Sequence, residues 1–262
     1  MMTKALNHVD LCFVIDTTGS MGSFIQAAKQ QLLDTIQLLS ANSGIDLQVG
    51  LVEYRDHPPQ DTSFVTRIYP LTANLKQMQK DINKLAADGG GDLPEAVYDG
   101  IRDAAIEMKW RPHSCRFILL VGDAPPHGFQ VDPSAEGYTH TDSSRYPNGL
   151  TVQSVTAVAE NQRVTVHALC MGSDRTTVQA FTAIAMGTGG QCAAVSNAKD
   201  VINQILSVLT SEFHDLEFDR KVLDTLQRLG SLDVSAMADA LSYPRLQVAG
   251  AIARLGKRGF LV

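Results

Sequence analysis

The chain contains no run of apolar residues long enough to cross a bilayer, and its first residues lack the basic, apolar and small-residue succession of a secretory signal. Its four cysteines (Cys12, Cys115, Cys170 and Cys192) show no CxxC spacing, which argues against a zinc site. Cys12, Cys115 and Cys170 fall in or beside apolar segments, where buried thiols are common, so the expectation is a reduced, cytoplasmic protein with no membrane contact. Positive charge is also short: 22 Lys and Arg against 28 Asp and Glu leave a formal net charge of −6, the opposite of a generic nucleic-acid binder. No glycine loop ending in Lys-Ser/Thr is present, no Ser or Cys sits in a nucleophile elbow, and no internal repeat or low-complexity tract appears. What remains is 262 residues, 44% hydrophobic and 19% charged, an ordinary globular composition with length for one large or two small domains.

Along the chain, strand-like and helix-like segments alternate. Residues 9–15, 47–54, 64–69, 116–121, 164–169 and 191–195 read as strands, with 64–69 hairpinned onto 47–54. Helical spacing runs through 24–39, 75–86, 94–108 (opened by Pro94), 150–160, 176–185 and 198–210. The nearly continuous apolar run 116–121 is of the kind buried on both faces of a parallel sheet. The fold class expected is therefore α/β, a doubly wound, mainly parallel Rossmann-like sheet. Such sheets bind ligands beyond the carboxyl ends of their strands, where the strand order reverses.

Directly behind the first strand stands Asp16-Thr17-Thr18-Gly19-Ser20-Met21. Alternate residues of an extended turn point the same way, so Asp16, Thr18 and Ser20 can converge on one point. Hard oxygen donors of this kind suit Mg2+, with Ca2+ or Mn2+ as alternatives, ahead of zinc or copper. The competing reading is that Asp, Thr and Ser are turn and capping residues, with Ser20 merely capping the next helix. Asp123 follows the strand 116–121, and in the order 3-2-1-4-5-6 that strand and the one ending near Asp16 are neighbours flanking the switch point.

With Asp16-Thr17-Thr18-Gly19-Ser20, Asp92-Leu93-Pro94-Glu95 and Gly122-Asp123-Ala124 in order on this framework, residues 1–212 resemble a von Willebrand factor type A domain. The three loops are similar to that family's metal-ion-dependent adhesion site (MIDAS). The resemblance implies metal ligands at Asp16, Thr18, Ser20 and Asp123. Many members carry a threonine on the second loop, whereas Gly89-Gly90-Gly91-Asp92-Leu93-Pro94-Glu95-Ala96 looks more like the Asp-x-Pro-Glu loop of integrin β subunits. That points to Glu95 as the ligand from this loop, Asp92 being the weaker candidate, and leaves one or two metals open. Stabilisation of a helix N-terminus is the alternative role for Glu95.

Around the site, Asp56 in Tyr54-Arg55-Asp56-His57 is expected to support the site or its rim, and the long polar stretch 124–149, with His127, Tyr138 and Tyr146, to complete a partner-binding rim. Asp56 could equally belong to a surface turn leading into Pro58-Pro59. A Mg2+-dependent hydrolase would need a base, and His127, four residues past Asp123, is the candidate, though a loop histidine is more often simply solvated.

The last fifty residues change character. Segments 218–229, 234–241 and 245–255, followed by Lys257-Arg258-Gly259-Phe260-Leu261-Val262, resemble a winged helix-turn-helix whose wing is incomplete, giving a second domain at 213–262 linked through the polar residues 211–217. From Phe213 onward seven Lys/Arg oppose six Asp/Glu, a balance of +1, low for a DNA-binding module. Arg245, Arg254, Lys257 and Arg258 could form a modest contact edge for nucleic acid or protein, or be solvated positions around a core of Leu246, Ala249 and Ile252. The expected function is a non-catalytic, metal-dependent protein-binding adaptor that engages a partner's Asp or Glu. A DNA-associated regulator is the alternative, and a Mg2+-dependent hydrolase the third. The family resemblance also implies larger assemblies, such as complexes with AAA+ ATPases.

Overall fold

The computed structural model describes residues 6–34, 36, 37, 41, 44–91, 93–129 and 149–261. Six strands, β1 (His8–Asp16), β2 (Asp46–Tyr54), β3 (Thr66–Thr72), β4 (Cys115–Gly122), β5 (Val164–Met171) and β6 (Cys192–Val195), form one sheet in the order β3-β2-β1-β4-β5-β6. Every pairing is parallel except the β2–β3 hairpin, so the expected doubly wound order is the one observed. β1 lies between β2 and β4, and Ile15 stands opposite Val121, which brings Asp16 level with Gly122.

The helices are α1 (Gly22–Ala27, running into a π-helical turn at Ala28–Leu32), α2 (Leu75–Ile82), α3 (Val97–Glu107), α4 (Val152–Asn161), α5 (Arg175–Gly187) and α6 (Ala198–Leu229). Side chains alternate across a strand, so Leu11, Phe13 and Ile15 of β1 face Phe24 and Ile25 of α1, Met78 and Ile82 of α2, and Val201 and Ile205 of α6. Cys12 and Val14 face the opposite layer: Val97 and Ile101 of α3, Val155 and Ala159 of α4, and Phe181 and Ile184 of α5. α3 was expected to open at Pro94, but it begins three residues later, at Val97. The reason is that Glu95 is extended in an isolated parallel bridge to Pro126, and the Ala96 N–H donates to the Arg55 carbonyl.

Residues 211–217, expected to link two domains, lie inside the continuous 32-residue α6. The helix persists because its apolar stripe does: Leu209, Phe213 and Leu216 pack on the sheet layer, and Phe218, Val222 and Leu223 carry on into a second core. Gly230, in the left-handed region at φ 68°, ends it. Helices α7 (Val234–Leu241) and α8 (Arg245–Lys257) close the second core through Met237, Ala238, Val248, Ala251 and Leu255. The buried stripe of α8 is thus shifted from the one expected. Leu246 is 84% exposed and Ala249 exposed, while Ile252 is only partly buried. No strand follows α8 among the described residues, so the expected wing has no counterpart there.

Three of the four basic residues expected at an external edge turn inward. Arg254 forms an ion pair with Asp219 (Nη2–Oδ1 2.6 Å) on α6, and the Lys257 Nζ donates to Thr165 Oγ1 at 2.9 Å. Arg258 is buried and donates to the carbonyls of Leu6 (2.9 Å) and His113 (3.1 Å). Lys257 and Arg258 fasten the helical unit to the amino-terminal ends of the strands, Arg254 ties α8 to α6 within it, and only Arg245 stays exposed. Replacing Arg258 by methionine, of similar bulk, strands those carbonyls. Urea denaturation should show a loss of about 1–3 kcal/mol, and an unchanged midpoint would contradict the fastening role.

Candidate metal site

At the carboxyl end of the sheet three loops meet. The first leaves β1 at Asp16, whose side chain folds back on its own turn. Asp16 Oδ1 accepts from the Thr18 N–H at 2.8 Å and from Thr18 Oγ1 at 2.6 Å. Thr18 Oγ1 lies 3.5 Å from Ser20 Oγ, and the Ser20 hydroxyl hydrogen-bonds the Asp123 carboxylate on the loop after β4. Asp16, Thr18, Ser20 and Asp123 are therefore joined in one run of side-chain contacts across two loops, the first three on one turn and Asp123 on the neighbouring strand's loop.

The second loop arrives through glycines that allow close approach. Gly90 adopts φ +76°, and a Cβ there would stand 3.0 Å from Glu95 Oε1 and 3.2 Å from Thr18 Cβ. Burial raises the Tyr54 phenol, and the charges of Asp16, Asp123 and the buried Glu95 add to that rise, which places Glu95 near the same point. Backbone bonds lace the loops together: Gly19 N–H to Gly89 O (3.3 Å), Asp88 N–H to Thr17 O (3.1 Å), Glu95 N–H to Pro125 O (2.9 Å) and His127 N–H to Glu95 O (3.3 Å). Asp92, Tyr138 and Tyr146 lie outside the described residues.

The electrostatics are those of a site short of positive charge. Burial pushes the Asp16 carboxyl up to about 7; the Thr18 hydrogen bonds oppose this, and the nearby Asp123 adds to it. Burial likewise raises Asp123, against the Ser20 bond. Asp16 Oδ2 is buried and finds no hydrogen-bond donor among the described residues. An acceptor left so costs about 1–3 kcal/mol, and a hard cation is the group that would satisfy it. Among the described residues no three His, Cys, Asp or Glu side chains gather closely enough to hold a metal alone. A ligand set at this place would therefore have to draw on the Thr18 and Ser20 hydroxyls beside the carboxylates. On that donor chemistry and that unsatisfied oxygen, the residues fit a divalent ion.

Two residues expected at the rim are not there. Asp56 is 0% and His127 3% exposed, because they pair with each other, His127 Nε2 lying 2.5 Å from Asp56 Oδ1. Neither can touch a partner's surface. Reading the sequence alone also missed Tyr54, which ends β2 in the core. Its buried hydroxyl has no hydrogen-bond partner among the described residues, and it lies against Gly122, where a Cβ would come within 2.3 Å of the hydroxyl oxygen. A tyrosine closing an apolar strand reads as core, and nothing local signals that its hydroxyl ends among three acids.

A profile of the von Willebrand factor A domain family matches residues 10–197. Among curated proteins, the alpha-protein kinase vwkA of Dictyostelium discoideum is 31% identical over 148 residues, covering 56% of this chain and 23% of that protein, so the chain spans under a quarter of that relative. Among solved structures, proximal thread matrix protein 1 from the mussel byssus, with a zinc-occupied MIDAS motif, aligns over 78% of this chain and 46% of its own at 14% identity and TM-score 0.55. The pilus adhesin SpaC from Lactobacillus rhamnosus GG aligns over 79% of this chain and 30% of its own at 17% identity and TM-score 0.56. These two structural likenesses show the fold.

Two outcomes follow from the packing. Gly122→Ala forces its methyl onto the Tyr54 hydroxyl and should cost about 1–3 kcal/mol in thermal unfolding, part of it recovered in Gly122→Ala/Tyr54→Phe; no recovery would contradict the contact. In chelator, Asp16 binds its proton more tightly folded than unfolded, so the stability gained from the protonated acid is lost as pH rises from its ordinary 3.8 toward about 7. Asp16→Asn should gain on the wild type across that range, reaching about 2–4 kcal/mol, and a difference independent of pH would refute the shift.

Proposed function

Because the chain belongs to the von Willebrand factor A domain family, we propose that Asp16, Thr18, Ser20 and Asp123, with Glu95 from the second loop, hold a divalent cation through which a carboxylate of a partner protein is bound. The observation that carries this reading is the run of contacts from Asp16 to Asp123, together with the buried Asp16 oxygen that has no donor. Mg2+ is the ion we favour for an oxygen-only donor set, with Ca2+ or Mn2+ as alternatives. Zinc in the MIDAS motif of the mussel protein supports a divalent site without deciding the ion. When bound, the cation supplies an electrophilic point that a partner's Asp or Glu oxygen can complete.

The chain's own residues do the rest. Asp16 and Asp123 bring negative charge that a cation offsets. The Thr18 and Ser20 hydroxyls add neutral donors, which leaves the ion electrophilic. Leu93, 45% exposed two residues before Glu95, offers apolar contact beside the site. We read the protein as a non-catalytic, cytoplasmic adaptor, residues 1–212 carrying the binding site and 213–262 a helical module that sets assembly or a second contact. The buried, paired state of His127 supports binding over hydrolysis, since a base at that position would not reach substrate. The inward engagement of Arg254, Lys257 and Arg258 ranks nucleic acid below protein as a partner.

The test is calorimetric titration with Mg2+ and Mn2+, followed by pull-down with and without EDTA. Wild type should bind the ion and retain a partner only in its presence, while Asp123→Ala should lose both. Full retention of partner in EDTA would refute the reading.

A further inference from the structure

The segment Arg55-Asp56-His57, behind β2, contributes no proposed ligand, yet it touches all three ligand loops. The Arg55 guanidinium reaches the first loop through Nε to Thr17 Oγ1 (3.3 Å) and the stretch entering the second through Nη2 to the Ala86 carbonyl (3.0 Å). The Arg55 carbonyl accepts from Ala96 N–H at 2.8 Å, just after Glu95. Asp56 Oδ1 accepts from His57 N–H at 2.6 Å and receives His127 Nε2 of the third loop at 2.5 Å. His57 Nε2 meets Asp99 Oδ2 at 3.0 Å, in the first turn of the helix that follows the second loop, and the two imidazoles lie edge to face at 5.5 Å. Asp56, His57, Asp99 and His127 are all at most 5% exposed.

We propose that this segment is a frame that presets the ligand loops, with the Asp56–His127 contact as its key link, so that Asp56 and His127 are positioning residues for the cation site. The proposal rests on the divalent-site reading above. The geometry carries it in two ways. First, His127 is tied at both ends: its ring is held by Asp56, while its backbone N–H holds the Glu95 carbonyl. Freeing the ring therefore loosens the third loop and the backbone of the second-loop ligand together. Second, a short hydrogen bond buried from water is strong and directional, which is what a positioning contact needs. Second-layer partners of this kind typically shift metal affinity by about 10–100-fold.

The variants are His127→Leu, which removes the donor, and His127→Gln, which keeps an N–H of similar reach, each shown to be folded by circular dichroism. Amide hydrogen exchange in chelator reads the frame without any metal. His127→Leu should speed exchange at Glu95, Ala96 and His127 itself, and His127→Gln should stay near wild type. Calorimetric titration with Mn2+ then reads the consequence, an affinity about 10–100-fold weaker for Leu and within a few-fold of wild type for Gln. Unchanged exchange in His127→Leu overturns the frame whatever the metal result. Faster exchange with wild-type Mn2+ affinity overturns its role in positioning ligands. If the wild type takes up no Mn2+ at all, the divalent-site reading fails, and with it the positioning role, while the exchange result still decides whether the loops are held by this contact.

Discussion

Two carboxylates set together where β1 and β4 lie side by side, Asp16 buried and Asp123 half-buried, are the constraint on which the rest turns. Asp16 and Asp123 are brought together by strand register, Ile15 opposite Val121, and not by anything in either loop alone. Bringing a second acid up to a buried one is unfavourable, and donors supplied locally offset it: the Thr18 amide and hydroxyl for Asp16, the Ser20 hydroxyl for Asp123. The glycines follow from the same demand. Gly122 leaves room for Tyr54, and Gly90 lets the second loop close on Thr18 and Glu95.

The loops are held from behind as well as by one another. Ligand loops at the end of a parallel sheet are connections, and connections are the mobile part of a domain unless something fastens them. Here the turn after β2 does so with an arginine, an aspartate and a histidine, none of them exposed to solvent beyond 7%. At the other end of the sheet a comparable device is used for a different purpose: Arg258 and Lys257 join the helical unit to the strand starts. β1 is nine residues long, so the two ends lie about 26 Å apart. Binding at one end need not obstruct contacts at the other.

Much of this architecture was legible beforehand. Alternation of apolar strands with amphipathic helices implied a doubly wound parallel sheet, because strands buried on both faces leave a strong compositional trace, and the common order of such sheets is the one found. Asp16, Thr18, Ser20 and Asp123 could be placed together for the same reason: each follows directly from a strand end, and the order of strands fixes which ends are neighbours. Asp56 and His127 were misplaced because polarity in a loop reads as exposure. Their burial arises from a partner 71 positions away, which no local pattern records. The supposed link at 211–217 failed similarly: its polar residues occupy the outer face of a helix whose inner face stays apolar.

The sequence by itself determined the alternation of strands and helices, which implies a doubly wound sheet of the common order, and the loop from which each acid comes, since those depend on periodicity and on chain direction. Only the tertiary structure decided which polar groups are buried, which basic residues turn inward, and which side of α8 faces the core. Those outcomes depend on what stands opposite each residue across the molecule. A hydrogen bond between distant segments can make a charged side chain an interior one.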